Sequence, residues 1–422
     1  MKSIVKFIKW FYPGLKIKRW IILMLGGVVC LILFGIRFFL DELLPIKIID
    51  GIIFFSALIL VIMGTISLAR SFFDVIYPKK DKGLIDILYE KRYLSKGPKI
   101  VTIGGGTGLS SILEGLKEYT ANISAIVTVA DEGGSSGRLR EEFGILPPGD
   151  IRNCLVSLAE VPQLMRDLFQ YRFQEGNGIK GHSFGNIFIT AMTQVTGSFR
   201  DAIEESSRVL AIRGRVIPAS LANVRLKAEY VDGTSLEGED KINQQHKSIK
   251  NISLLPQDVQ ANPEALEVIK DADIVIVGPG SLFTSILPNL LIKAVKDALL
   301  KRTDIMKIYL CNVMTQHGET DGYTASDHLE TLIGHAGRGV LNTCLVNCGK
   351  LDPELLLKYA QEKSFPVLPD VSRIEKNNVL VFEDDIVSRT DYLRHDPFKT
   401  AKYIINIYNQ FRKKWNVLKK KS

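Results

Sequence analysis

Hydrophobic positions divide the chain into two unlike parts. Residues 21–36 carry no charge, residues 38–40 extend that run past Arg37, and residues 51–69 form a second uncharged run. An α-helix rises about 1.5 Å per residue and a bilayer's hydrocarbon core is about 30 Å thick, so about 20 apolar residues cross it. The pattern predicts a two-helix transmembrane hairpin over 20–69, with spans at 20–40 and 50–69 and a short polar loop containing Pro45. Soluble helices rarely go this long without a polar face, and a second span argues against a cleaved signal peptide. Residues 70–98 read as a juxtamembrane linker. Leu84, Ile85, Ile87, Leu88 and Leu94 alternate there with charges, as in an amphipathic helix, and Gly97-Pro98 ends it.

From Lys99 the period changes. Short apolar runs predict strands over 100–103, 123–129, 273–277, 306–310 and 340–346. Helical patterns fill the gaps near 150–159, 185–196, 290–300 and 325–335. Strands alternating with helices predict an α/β domain over 99–415, Rossmann-like, with a mostly parallel sheet and flanking helices. Tyr230-Val-Asp232-Gly233-Thr-Ser predicts a small β-hairpin excursion on an Asp-Gly turn.

Charge sharpens the division. The 422 residues carry a formal net charge of +8. Residues 1–82 hold 12 Lys/Arg against 5 Asp/Glu, whereas the rest hold 42 against 41. No broad cationic face is implied on the body, which disfavours nucleic acid as a partner. Lys2, Lys6, Lys9, Lys16, Lys18 and Arg19 precede the first span, and Arg70, Lys79, Lys80 and Lys82 follow the second. The loop between them holds only Lys47. The bias of Lys and Arg toward the cytoplasm therefore predicts both termini, including the basic segment 1–19, on that side of the cytoplasmic membrane. Five cysteines, odd and sparse, form neither a disulfide framework nor a paired zinc motif.

Candidate chemistry gathers where predicted strands end. Gly104-Gly105-Gly106-Thr107-Gly108-Leu109 lies between a strand and a helix. Backbone N–H groups in such a turn approach a phosphate, and the helix N-terminus adds about half a positive charge. The turn lacks the lysine of a Walker A loop, and Leu109 stands where a dinucleotide fingerprint needs a small residue. Asp131, 23 residues beyond Gly108, sits where such folds place a ribose-binding acid, which keeps a NAD reading open. The next loop runs Asp131-Glu132-Gly133-Gly134-Ser135-Ser136-Gly137-Arg138. Asp131 and Glu132 are its candidate catalytic and Mg²⁺-holding acids. Gly133, Gly134, Ser135 and Ser136 are candidate phosphate contacts, and Arg138 a candidate clamp. Asp150 is placed to cap the helix that follows it. Ser183 and Asn186, in Gly181-His-Ser-Phe-Gly-Asn186, suit phosphate or ribose oxygens, or a cap. Gly278-Pro-Gly280-Ser281 repeats the anion-cradling turn after a later strand.

In order, the segments 104–109, 127–140, 146–154, 278–291 and 311–328 resemble the YvcK-type gluconeogenesis factors. These are relatives of the 2-phospho-L-lactate transferases, the CofD-like superfamily. The likeness covers about residues 99–400. It implies a bound nucleotide sugar of the UDP-N-acetylglucosamine kind, and a role in cell shape and wall metabolism on gluconeogenic carbon sources. It implies ligand contacts from Tyr359, in Lys358-Tyr-Ala360, and from Arg394, in Arg394-His-Asp396. A tyrosine can stack on uracil or ribose, and an arginine can fork onto a diphosphate. The transferase relatives move a phospholactyl or phosphoenolpyruvyl group from a nucleotide diphosphate carrier to a deazaflavin with Mg²⁺, which makes a transferase the alternative function.

Three departures stand out. Asp131-Glu132 replaces an Asp-Asp pair, His317 replaces a proline, and many relatives lack the membrane hairpin. The expectation is a membrane-anchored, cytoplasm-facing protein that binds a UDP-sugar in a regulatory role. Mg²⁺ is the one cofactor the likeness brings in. Further copies of the chain and cell-wall synthesis proteins are the expected protein partners.

Overall fold

A computed structural model describes residues 17–40, 44–76, 93–388 and 392–419. The amphipathic helix expected before Leu94 falls mostly outside them. The chain forms two compact units, Met1–Tyr89 and Glu90–Ser422.

The first unit holds helices Ile17–Leu40 and Leu44–Ile76. Within them, Arg19–Ile36 and Gly51–Ser71 are long and apolar enough to cross a membrane, with mean hydropathies of 2.3 and 2.6. Glycines bring the two helices close together. A Cβ on Gly27 would lie 3.0 Å from the Ala57 carbonyl oxygen, and one on Gly64 would lie 3.0 Å from Met24 Cβ. Small residues at such crossings let backbones approach. Ile22, Leu33, Phe55 and Met63 point outward, exposed, which a helix in a soluble core would not tolerate.

The second unit is built on a seven-stranded parallel sheet. Its strands are β1 (Ile100–Gly104), β2 (Ile123–Val127), β3 (Arg215–Pro218), β7 (Ile274–Val277), β8 (Met306–Leu310), β9 (Thr343–Asn347) and β10 (Leu380–Asp384). A three-stranded antiparallel sheet joins β4 (Arg225–Tyr230), β5 (Ser235–Glu237) and β6 (Ile249–Leu255). The expected Asp-Gly hairpin connects β4 to β5, and β6 pairs β4 on its other side. Asp232 Oδ1 accepts the Thr234 N–H at 2.9 Å while Gly233 takes φ +82°.

The large sheet runs β10-β9-β8-β7-β1-β2-β3. Strands β1, β7 and β8 are buried on both faces and apolar throughout except for Thr102, Gly104 and Lys307, as the centre of a parallel sheet requires. The chain adds β2 and β3 on one side of β1, then β7, β8, β9 and β10 on the other. The order therefore reverses between β1 and β7. In open α/β sheets ligands bind at such a switch point, beyond the carboxyl ends of the strands.

Several boundaries differ from the sequence pattern. Strand β2 stops at Val127, short of the full apolar run, and the Thr128 N–H makes the last ladder bond, to the Gly104 carbonyl at 2.9 Å. The helix expected over 290–300 is two, Leu287–Leu290 and Lys293–Lys301. Residues 94–98 belong to the body. Leu94 is buried, and the Asn122 amide donates to the carbonyls of Ser95 at 2.9 Å and Gly97 at 2.8 Å. Strands β3 and β10 close the sheet's edges. The first is four residues long and ends in proline, the second is partly exposed, so neither carries a strong apolar run.

Candidate functional site

The two glycine turns meet at the switch point. The first leaves β1 and enters helix Gly106–Leu116, and Gly106 takes φ +65° to make the turn. The second leaves β7. A Cβ on Gly108 would stand 2.7 Å from the Pro279 carbonyl oxygen, and one on Gly280 would stand 3.3 Å from the Gly105 carbonyl oxygen. Only glycine lets these backbones approach so closely. Gly104 and Gly278 lie behind the turns, against Leu109 and the Leu310 carbonyl respectively.

Side chains that no glycine motif marks hold both turns. The Gly280 N–H donates to Asn312 Oδ1 at 3.2 Å, and Asn312 Nδ2 returns a bond to the Gly280 carbonyl at 2.8 Å. The buried Asn289 amide donates to the Gly104 carbonyl at 3.2 Å. Ser281 is engaged on every side. Its hydroxyl donates to Glu319 Oε2 at 2.5 Å and accepts the Thr284 N–H at 3.1 Å and hydroxyl at 2.8 Å. Ser281 thus caps the turn, and burial raises the Glu319 carboxyl pKa above its ordinary range.

A cavity of about 610 Å³ opens over the two turns. Gly105, Gly106, Thr107, Gly108, Gly280, Ser281, Tyr359 and Arg394 all line it. The structure therefore brings together residues that lie almost 290 positions apart in the chain. Tyr359, half-buried on helix Pro353–Gln361, packs against a small apolar cluster that includes Met314, Leu355 and Leu393. Arg394 is exposed, with its guanidinium carbon 4.6 Å from the centre of the Tyr392 ring. Its neighbour His395 is buried, with Nε2 3.0 Å from the Cys311 carbonyl. Burial holds His395 down at about 4, so it anchors this strand end as a neutral ring. At the rim, His317 stacks on His246, ring centres 4.9 Å apart. His317 Nδ1 also lies 3.2 Å from Asp321 Oδ1.

The Asp131 loop has a different fate. Ser135, Ser136 and Asn186 are buried. Ser135 Oγ lies 2.9 Å from His182 Nδ1 and accepts the Asn186 amide at 3.0 Å. Arg152 donates to Asn186 Oδ1 at 2.9 Å and to the Ser183 hydroxyl. Ser183 caps helix Phe184–Thr196 by accepting the Asn186 N–H. Gly133 and Gly134 open helix Gly134–Phe143. Arg138 is exposed and donates to the Lys180 carbonyl at 3.0 Å. Glu132 pairs with Arg140 at 3.4 Å and Arg225 at 3.2 Å. None of these residues lines the cavity.

Asp150 does not cap its own helix, Gly149–Leu158, which has no side-chain cap. Its carboxylate instead takes the Gly106 N–H, and a Cβ on Gly105 would stand 2.5 Å from Asp150 Oδ2. The residue braces the first glycine turn from beneath. Burial, and then the charge of Asp131, push Asp150 up to about 7. Burial and Asp131 likewise push Glu239, a cavity residue, up to about 8. Burial raises Asp131 too, against the Gly133 N–H and Ser136, which hold it down. Three carboxyl groups thus share one poorly solvated region beside the cavity. Among the described residues, no three acidic, histidine or cysteine side chains converge as a ready metal cage.

Comparison with known proteins assigns this architecture. Residues 100–387 match the family described as "2-phospho-L-lactate transferase CofD". A Nostoc sp. protein, whose gluconeogenesis-factor name is provisional, is 46% identical over 95% of this chain and 92% of its own length. The Bacillus subtilis gluconeogenesis factor is 46% identical over 75% of this chain and 100% of its own length. A crystal structure of a Bacillus halodurans protein superposes with a TM-score of 0.71 at 48% identity, covering 74% of this chain and all of its own. The chain belongs to the CofD-like family, alongside the gluconeogenesis factors.

Proposed function

We propose that the body is a regulatory binding protein for a nucleotide sugar of the UDP-N-acetylglucosamine kind. One observation carries this reading. Two backbone anion cradles, an aromatic ring at Tyr359 and a guanidinium at Arg394 share one cavity. The cradles suit a diphosphate, the ring a base or ribose, and the guanidinium the charge between them. The physiological role that follows is control of cell shape and wall homeostasis during growth on gluconeogenic carbon. The spans over 20–69 would hold this sensor at the cytoplasmic membrane with both termini inside, near the enzymes that make lipid-linked wall precursors.

The test is thermal unfolding and calorimetry of residues 90–422 with UDP-N-acetylglucosamine, UDP-glucose, GDP, NAD and phosphoenolpyruvate, each with and without Mg²⁺. A ligand that binds only the folded state adds about 2.7 kcal/mol at a hundredfold excess over its dissociation constant. The expected result is a shift with UDP-sugars that disappears in Tyr359→Ala and Arg394→Ala. No shift with any UDP-sugar at millimolar concentration would overturn the reading.

A second reading, a transferase, rests on the carboxyl groups of Asp131 and Glu239, which share one poorly solvated region beside the cavity. Mg²⁺ usually takes one or two carboxylates and completes its shell with substrate phosphates and water. Asp131 and Glu239 suit that arrangement better than Glu132, whose charge two arginines already neutralise. Turnover of a phospholactyl donor with a deazaflavin, lost in Asp131→Asn, would favour this reading over the sensor.

A further inference from the structure

One wall of the cavity has no part in the diphosphate and base contacts proposed above. Helix Glu239–Gln245 follows β5, and Glu239, Asn243 and His246 line the cavity from it and from the residue that ends it. Their spacing, i, i+4 and i+7, puts all three on one helical face. That face is polar throughout. The Asn243 amide donates to Glu239 Oε1 at 2.5 Å, and Asn243 Oδ1 is buried with no partner among the described residues. A buried acceptor left open in this way calls for a donor.

Two histidines fix where this wall stands. His246 closes the helix in the left-handed region, at φ +49°, a conformation that costs a residue with a side chain free energy. Its ring stacks on His317 with the planes 10° apart, and a Cβ on Gly318 would run into its backbone. Asp321 holds His317 in turn, and its other carboxylate oxygen accepts the Gly318 N–H at 2.8 Å. The same loop supplies Glu319, which accepts the Ser281 hydroxyl of the second cradle. The stack thus ties the polar helix to the loop that holds the cradle.

We propose that this wall reads the sugar of the bound nucleotide sugar. Asn243 and Glu239 are its hydrogen-bonding specificity residues, and the His246–His317 stack is the positioning element behind them. This assignment rests on the nucleotide-sugar reading and adds the part of the ligand that the cradles, Tyr359 and Arg394 leave unread. A sugar presents hydroxyls, each both donor and acceptor, and little flat surface. A carboxyl and a carboxamide side by side match that pattern. Tyr359, set against an apolar cluster, suits the base instead.

Calorimetry on the full-length chain in detergent, with UDP, UDP-glucose and UDP-N-acetylglucosamine as ligands, tests the assignment. UDP carries the base and both phosphates but no sugar. Asn243→Ala and His317→Ala should each weaken UDP-sugar binding about tenfold and leave UDP within about twofold. His317→Phe keeps a ring to stack on His246 and should recover most of the loss. Tyr359→Ala should weaken UDP and the UDP-sugars alike. Thermal melts without ligand confirm that each variant folds. Equal losses for UDP and the UDP-sugars, or unchanged UDP-sugar affinity in both alanine variants, would overturn the sugar-reading wall. No recovery in His317→Phe would overturn the role of the stack. Wild-type protein that binds neither UDP nor a UDP-sugar would instead overturn the nucleotide-sugar reading itself.

Discussion

Two loops follow neighbouring strands of one sheet, are rich in glycine, and end up doing different work. After β1, residues 105–108 keep their backbone turned to an open cavity. After β2, the Asp131 loop folds its hydroxyls onto His182 and Asn186 and turns Glu132 to two arginines. The difference lies in what each loop has to offer. The first has almost no side chains, so only its backbone can bind. The second has polar side chains whose burial demands partners, and the 181–186 segment supplies them. A glycine-rich loop after a strand is thus a reason to look for a ligand, and the count of side chains inside it helps decide whether the loop binds or braces.

The contrast can be broken most forcefully at the contact between the turns. Gly108→Ala would push a methyl into the Pro279 carbonyl. We expect a loss of about 1–3 kcal/mol in urea unfolding, together with loss of the UDP-sugar thermal shift. Asn186→Ala should cost about as much, since it strips partners from the buried Ser135 and Arg152. Ligand affinity should survive there, and an affinity loss as large as that of Arg394→Ala would show that the second loop binds after all.

Protonation gives a finer probe. The folded-state pKa values of Asp150, about 7, and Glu239, about 8, lie above their unfolded values. Through these two groups the folded body binds more protons than the unfolded chain, and above about pH 6.5, where the lowered His395 no longer offsets them, this holds up to about pH 8. Its stability should fall as pH rises through that window, and melting at pH 6 should exceed melting at pH 9. Glu239→Gln should flatten the decline, whereas an unchanged slope would place its origin elsewhere. The smallest effect belongs to Arg138→Ala, which exposes no core. We expect a stability change within about 0.5 kcal/mol and no change in ligand affinity.

Much of the architecture is legible in the amino-acid sequence. Apolar runs locate the central strands, where burial on both faces leaves an unbroken signal, and both N-terminal helices, whose outward faces are as apolar as their contact face. Edge strands β3 and β10 are silent, since exposed edges need no such run. The two glycine turns read as cradles from residue type alone. That they touch does not, because the contact depends on strand order rather than on local sequence. Asn289 and Asn312, which hold those turns, lie within the segments 278–291 and 311–328 that carry the family likeness, but nothing in the local pattern says that their amides brace the turns. Asp150 shows the same limit. Its position just ahead of a helix suggests a cap, but its carboxylate serves a turn 44 residues upstream. Tyr359 and Arg394 stand out only by likeness to a family, and only the fold brings them to one cavity.

The order of the strands also sets a timetable. The first turn leaves the ribosome early, but its partners Pro279 and Arg394 come about 170 and 290 residues later. At about 5–20 residues per second, the last wall of the cavity emerges some tens of seconds after the first. A nascent chain therefore holds its first cradle unfinished through most of its synthesis. On the proposed reading, ligand capture would be a property of the completed protein alone, and a truncated product would carry the glycine turn without the walls that complete the cavity.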